Sequence, residues 1–545
     1  MVSERKRRRR TLIGTLAVLA GLSVVLFGAF WLIDFFCLHE VADDDPGPWA
    51  RLIDFDPDTL QNALGSLAQI IAAVLGIAIT VVSIVVQLAA NRYTSRVADM
   101  FFRDKTNLAV MGFFVISCIN AVWVSLAVSR TYVPTATVLV TVGIVTASLL
   151  ALIPYFAYVF DFLDPEKVIA RIGQQTLSKA LGQAGRGVTD AENRQTQTVT
   201  SMEQLADIAV NALTQKDKVI ASDAIRALRE VIVKYLPEKP RLDPAWFEIG
   251  ADLRDNPDFV ALAASSLDEL RHDRTWLEWK GLRQMRGVFV EAQNSMPEMA
   301  HVVAVETRYV AEAALSACEP AVATMTLKFM NTYLRAALNA RDIRTAYNVL
   351  NQYRQLAEAL LGSNDVADAE RLPEIATRFK YYAQLAQTLG LGFVAETAAY
   401  DLCTLCEIAA ERGAPVHDRL LAIFLEIDKE AENPTQERAL RGIRKAQAKL
   451  AAYYLLREMP EPARRIFNDM SMESTERLRS IRDEMLAITA KDFWEVTDRG
   501  TNFDYVDDAR KARLREFFDG FANLSESIVP MRGTAEPSGP TGGLS

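Results

Sequence analysis

Cys403-Thr-Leu-Cys406 is a Cys-x-x-Cys pair in this 545-residue sequence. Two cysteines at that spacing supply half of a tetrahedral zinc site, which needs two further ligands. His417 is the only histidine nearby, and there is no second Cys-x-x-Cys. A redox pair would stand near a strand–helix junction, whereas these residues sit within a helical run, one turn apart. The expectation is two buried thiols packed as small hydrophobes. His39, His272, His301 and His417 are scattered, so no histidine-based triad or metal cluster is visible. Asp54-Phe-Asp-Pro-Asp58 starts like a calcium loop but lacks Gly at the sixth position and Glu at the twelfth. Gly390-Leu-Gly392 lacks the rest of a phosphate loop. No catalytic, cofactor-binding or metal residue is assigned, no cofactor is expected, and the expectation is a non-enzyme.

Polar residues in an apolar stretch are the more informative chemistry. Between Gln69 and Ala90 there is no charge, yet Ala72, Gly76, Thr80, Ser83, Gln87 and Asn91 fall three or four residues apart. They share one face of a helix whose other faces carry Ile, Val and Leu. In lipid such a face must meet protein or water. Packing within the helix bundle is the commoner role. The sharper reading has several copies lining a water-filled path, with Gln69, Thr80, Ser83, Gln87 and Asn91 as neutral polar contacts. Arg92, Arg96, Arg103 and Lys105 would then ring the inner mouth, or equally anchor lipid headgroups.

These residues need membrane helices to position them. Four spans are read, at about 11–36, 67–90, 108–128 and 135–160, with a basic N-terminus at 1–10 and an acidic external loop at 37–66. Gly14, Gly21 and Gly28 recur along the first span and would admit a close helix neighbour. Tyr155, Phe156, Tyr158 and Phe160 read as an interfacial aromatic belt. Lys and Arg cluster before the first span and between the second and third, which predicts both termini in the cytoplasm of a cell with the protein in its inner (plasma) membrane. The net charge of −9 argues against a nucleic-acid partner. Five scattered cysteines do not make a disulfide framework.

Residues 164–528 read as a cytoplasmic all-α domain, an irregular solenoid or bundle, from apolar residues at three- and four-residue spacing with Gly and Pro breakers between them. Anchors at Ala346, Ala398 and Ala463 hold no constant period, so a regular repeat array is the weaker reading. Trp276, Trp279, Lys280 and Arg283 read as packing residues ahead of lipid contacts. Residues 529–545, rich in Gly, Pro, Ser and Thr, are expected to be a disordered tail.

Ser83-Ile-Val-Val-Gln-Leu-Ala-Ala-Asn-Arg-Tyr-Thr-Ser-Arg-Val97, followed by Phe101-Phe-Arg-Asp104 and Val110-Met-Gly-Phe-Phe114, resembles the bacterial membrane-protein family DUF2254. The likeness is clearest over Gly65–Val128 and returns weakly at Met202–Leu213. Thr94-Ser95-Arg96 stands where that family usually has Ser-Pro-Arg, and Thr214–Lys218 replaces its usual Pro-Gly-x-Asn-Asp-Pro loop. The resemblance implies a multi-pass membrane protein with a cytoplasmic domain and no established activity. Two functions stay open: an oligomeric channel-like protein with a regulatory helical domain, or a membrane-anchored scaffold or signalling protein whose helical domain binds a protein partner. The expected partners are the lipid bilayer, further copies of the chain and, on the scaffold reading, that protein.

Overall fold

The computed structural model describes residues 56–92, 98, 101–130, 135–182, 188–362, 366–429, 433–492, 499–500 and 502–521. The expected first span at 11–36, Arg96 and the 529–545 tail lie outside the described residues. Among the described residues the chain is helical and contains no strand. Helices are numbered below in chain order from the first one described. The chain divides into two compact units, 1–231 and 232–545.

In the first unit, helix α1 (Pro57–Arg92) begins ten residues before the expected start of the second span. Residues 57–66 are therefore helix, and the acidic loop ends earlier than its expected boundary at 66. The cause is a cap. Asp56 accepts from the Thr59 N–H at 2.9 Å and from the Thr59 hydroxyl at 2.6 Å, and Pro57 follows at the first helical position. The acidic residues that begin like a calcium loop thus start a helix. At 1.5 Å per residue its 36 residues extend roughly 54 Å, well beyond the ~30 Å hydrocarbon core.

Helices α2 (Lys105–Ala127) and α3 (Thr135–Phe162) follow. Among the described residues, three helices are long and apolar enough to cross a membrane: Pro57–Ala89, Lys105–Ala127 and Thr137–Phe162. They pack together through two apolar clusters. Leu60, Leu64, Val124, Val128 and Val138 form one, and Ala68, Ile71, Ala121 and Val145 the other. Polar pairs also tie α2 to α3. Ser117 and Ser148 share a hydrogen bond of 2.6 Å, and Asn120 donates to the Thr141 hydroxyl at 2.9 Å. Such bonds hold membrane helices together because lipid offers no alternative partner. Helices α4 (Pro165–Ala180) and α5 (Val188–Thr214) pack on each other, and α5 also touches α1. The Thr214–Lys218 turn closes with Lys216 in the left-handed region (φ 62°) and the Asp217 N–H on the Ala212 carbonyl at 2.8 Å.

The next helix, α6 (Lys218–Tyr235), runs from one unit into the other. The second unit continues through short helical turns to α7 (Ala264–His272) and then a run of long helices: α8 (Trp276–Ser295), α9 (Pro297–Ser316), α10 (Pro320–Asn339), α11 (Ile343–Gly362), α12 (Val366–Thr388) and α13 (Gly392–Glu411). It closes with α14 (His417–Leu425), α15 (Pro434–Leu456), α16 (Pro460–Met470), α17 (Thr475–Ala487) and α18 (Asp508–Asp519). From α8 to α13 each helix packs on its successor, and α9, α11, α13, α15 and α18 also pack on one another in series. Helices α8, α10, α12 and α14 form a second series in the same way.

Left-handed residues end several of these helices: Arg274, Cys318, Arg341, Gly390, Gly413 and Glu458. At each, the N–H of the next residue reaches back to a carbonyl five positions earlier, as from Glu319 to Ala314 at 2.8 Å. This satisfies carbonyls that the helix end would otherwise orphan. Trp276 is fully buried, its ring 4.9 Å from that of Trp246 and its N–H on the Trp246 carbonyl at 2.8 Å. Lys280 is also buried, held by Asp258 and Asn256. The packing reading of this cluster holds for both.

Candidate functional site

The stripe on α1 points away from α2 and α3. The packed face of α1 carries Leu60, Leu64, Ala68, Ile71, Ala78, Val82, Val86 and Ala89, all buried. Gln69, Ala72, Gly76, Thr80, Ser83 and Gln87 lie on the opposite side and are exposed. A methyl placed on Gly76 would meet nothing within 4 Å. Packing against α2 and α3 is therefore not what the stripe does. Thr80 satisfies its hydroxyl on its own helix, donating to the Gly76 carbonyl at 2.8 Å. Asn62 and Ser66 continue the same exposed face two turns toward the helix start. From Asn62 to Gln87 the stripe rises roughly 38 Å, more than the ~30 Å hydrocarbon thickness. The side chains of Asn91 and Arg92, and all of Arg96, lie outside the described residues. Arg103 and Lys105 are exposed beside the start of α2.

Next to those two cations, Asp104 joins α2 to α3. It caps α2, accepting from the Thr106 N–H at 2.8 Å and the Asn107 N–H at 3.3 Å. The same carboxylate accepts from the Tyr158 hydroxyl on α3. One turn along, the Tyr155 hydroxyl donates to the Asn107 side chain at 2.8 Å. Burial alone would raise the Asp104 pKa, but the hydrogen bonds from Tyr158 and the two backbone N–H groups outweigh it and hold the carboxyl below its ordinary value. Phe101 is fully buried with its ring 5.3 Å from Phe162, and the Arg171 guanidinium lies 3.9 Å over the other ring. Phe101 and Asp104 thus fasten the start of α2 to the end of α3. Of the expected aromatic belt, Tyr155 is buried and Tyr158 half-buried with their hydroxyls on Asn107 and Asp104, and Phe160 is exposed.

Cys403 and Cys406 are both buried on α13, and burial pushes both thiols up from their ordinary pKa. Among the described residues no group of His, Cys, Asp and Glu has the arrangement of a metal site. His417 lies on α14, hydrogen-bonded through Nε2 to the Tyr454 hydroxyl at 2.7 Å. The periodicity of the apolar run was the signal for Ser83 and Gln87, and it would have reached Asn62 and Ser66 had the helix start been placed at Pro57. Nothing local signalled that Asp104 meets Tyr158, 54 positions away.

No curated protein matches this chain. A solved structure described as a circular tandem repeat protein with novel repeat topology and enhanced subunit contact surfaces aligns at 14% identity, over 85% of this chain and 96% of its own, with a TM-score of 0.32. Residues 8–207 match the family model described as Predicted membrane protein (DUF2254), a match that includes α1 to α4, Phe101, Asp104 and the stripe. The chain is thus similar to that membrane-protein family over residues 8–207, where the three helices long and apolar enough to cross a membrane lie, and a large helical domain follows them.

Proposed function

We propose that the protein is an oligomeric, channel-like membrane protein whose helical domain acts as a cytoplasmic regulator. The reading rests on one observation. A face of α1 made of polar and small residues, Asn62 to Gln87, is left open by α2 and α3 over more than the thickness of the hydrocarbon core. Glutamine and asparagine side chains facing lipid would go without hydrogen-bond partners, so the face calls for other protein or water. Several copies turned with this face inward would give a path lined by Gln69, Thr80, Ser83 and Gln87. Ala72 and Gly76 at its middle would leave room for a solute. Arg103 and Lys105, exposed at the α2 end, would favour anions at the inner mouth. The basic bias of the sequence supports cytoplasmic termini in the inner membrane.

The helical domain reads as an irregular α-solenoid. Helices of one series start at Pro297, Ile343, Gly392 and Pro434, about 42 to 49 residues apart, near the 40–47 of long helical-hairpin repeats. Ion flux in liposomes tests the proposal. Wild-type protein should conduct, and Gln87→Leu should reduce flux fivefold or more while the oligomer is kept. Ser83→Glu should still assemble, because water solvates it. Against lipid or packed protein the same charge costs about 2.5 kcal/mol or more and would cut membrane yield. No flux in the wild type together with loss of Ser83→Glu protein would leave the scaffold reading instead.

A further inference from the structure

A cavity of about 410 Å³ opens in the second unit between α13, α15 and the stretch from Arg499 to Arg510. Its volume lies in the range of small-molecule sites. Five cations line it: Arg354, Lys449, Lys491, Arg499 and Arg510. Three carboxylates do so as well, Asp401, Glu407 and Asp507. The lining is therefore left with two positive charges. Their distribution matters more than the count. Asp401, buried on α13, is gripped by both arms of the Arg499 guanidinium, with Arg354 Nε at 3.4 Å. Glu407 is held by Arg510 through two hydrogen bonds of 3.0 and 3.1 Å. Asp507 is exposed, caps α18 and lies 3.6 Å from Arg510.

Lys449 has no carboxylate within ion-pair distance among the described residues. It donates to the Phe503 carbonyl at 2.7 Å, and its other two N–H groups have no hydrogen-bond partner among the described residues. Its ammonium lies 5.5 Å from the Tyr400 ring. Burial pulls its pKa down from the ordinary lysine value, which a bound anion would reverse. Arg499 Nε is buried and has no hydrogen-bond partner among the described residues. Lys491 is exposed at the rim. The Thr404 and Tyr505 side chains line the same space. A partly buried ammonium, an orphaned guanidinium N–H and a second lysine at the mouth, beside carboxylates already neutralised, make a place built for added negative charge.

The geometry points to a binding site for a small, multiply charged organic or inorganic anion, phosphate-bearing or polycarboxylate, with Lys449 as its inner contact and Lys491 at its rim. The bound anion bridges α13 and α15 to the Arg499–Arg510 stretch, so occupancy fastens the end of the helical domain in place. This site does not depend on the channel reading.

Calorimetric titration of the detergent-solubilised full-length protein tests it, with pyrophosphate and citrate as separate probes at matched ionic strength. At least one should bind saturably at one site per chain, and pyrophosphate alone, citrate alone or both tells the two chemistries apart. Lys449→Met should weaken the bound probe tenfold or more, with helicity unchanged by circular dichroism. Lys491→Gln, at the exposed rim, should weaken it about threefold and decides the matter if Lys449→Met does not fold. Absence of saturable binding by both probes, or wild-type affinity in the folded variants, overturns the site.

Discussion

Asp104 shows how much one carboxylate can do at the end of a membrane span. It caps α2 and receives the Tyr158 hydroxyl, so it fixes both a helix start and a helix pair. Replacing it with Ala removes a cap, worth about 1 kcal/mol, and leaves a partly buried hydroxyl without its acceptor at a similar cost. Thermal unfolding in detergent should place Asp104→Ala about 1–3 kcal/mol below wild type and Tyr158→Phe about 1 kcal/mol below. The double variant should fall short of their sum, and full additivity would deny the shared bond. Glu396 makes a different residue-scale prediction. Burial first, and then the Asp504 charge, push its pKa up from 4.5 to about 7, with Lys445 opposing. The sign follows from which state holds the proton. Between about pH 4.5 and 7 the folded protein keeps a proton that the unfolded chain releases, so this group's contribution to stability falls as pH rises through that window. Glu396→Gln should flatten the pH dependence of unfolding there and gain relative stability at pH 8. An unchanged slope would show that Glu396 titrates normally. The sequence made Cys403 and Cys406 legible as buried thiols because they lie one turn apart inside a helical run with no further ligands at metal-site spacing; Asp104 was opaque because its partner comes from another helix.

Helices were the legible elements, and their ends less so. Apolar spacing placed α2 and α3 within a few residues of their observed bounds. It missed the start of α1 because Asp54, Asp56 and Asp58 read as loop charges, when Asp56 and Pro57 together are a helix-start signal. Turns marked by Gly413, Pro320 and Pro460 were readable. Those at Arg274 and Arg341 were not, since a non-glycine residue in the left-handed region carries no local signature. One helix contact gives a sharp test. Gly442, inside α15, has the Glu396 side chain of α13 so close that an added Cβ would lie 2.6 Å from its carboxyl carbon. Ala is worth about 1 kcal/mol over Gly in a helix interior, whereas overpacking costs about 1–3 kcal/mol. Gly442→Ala should therefore destabilise in chemical denaturation, and adding Glu396→Ala should recover most of the loss. A stabilised Gly442→Ala would mean the two helices lie farther apart.

At the scale of the whole molecule, the split between membrane helices and a helical domain was readable from hydropathy alone. The order within the helical domain was not. Ala346 and Ala398 belong to one series of helices and Ala463 to a helix outside it, so their spacings mixed two registers. Nor could a single sequence say which face of α1 its own bundle would cover. That face is the central claim: the stripe meets water inside an assembly. The most direct measurement is thiol accessibility in membranes, using single cysteines on a cysteine-free background and a charged, water-soluble thiol reagent. Ser83→Cys lies on the stripe, and Ile77→Cys lies on an exposed apolar side of the same helix. The account predicts that Ser83→Cys is modified, that modification lowers ion flux, and that Ile77→Cys stays unmodified. An inert Ser83→Cys, or equal modification at both positions without effect on flux, would contradict it.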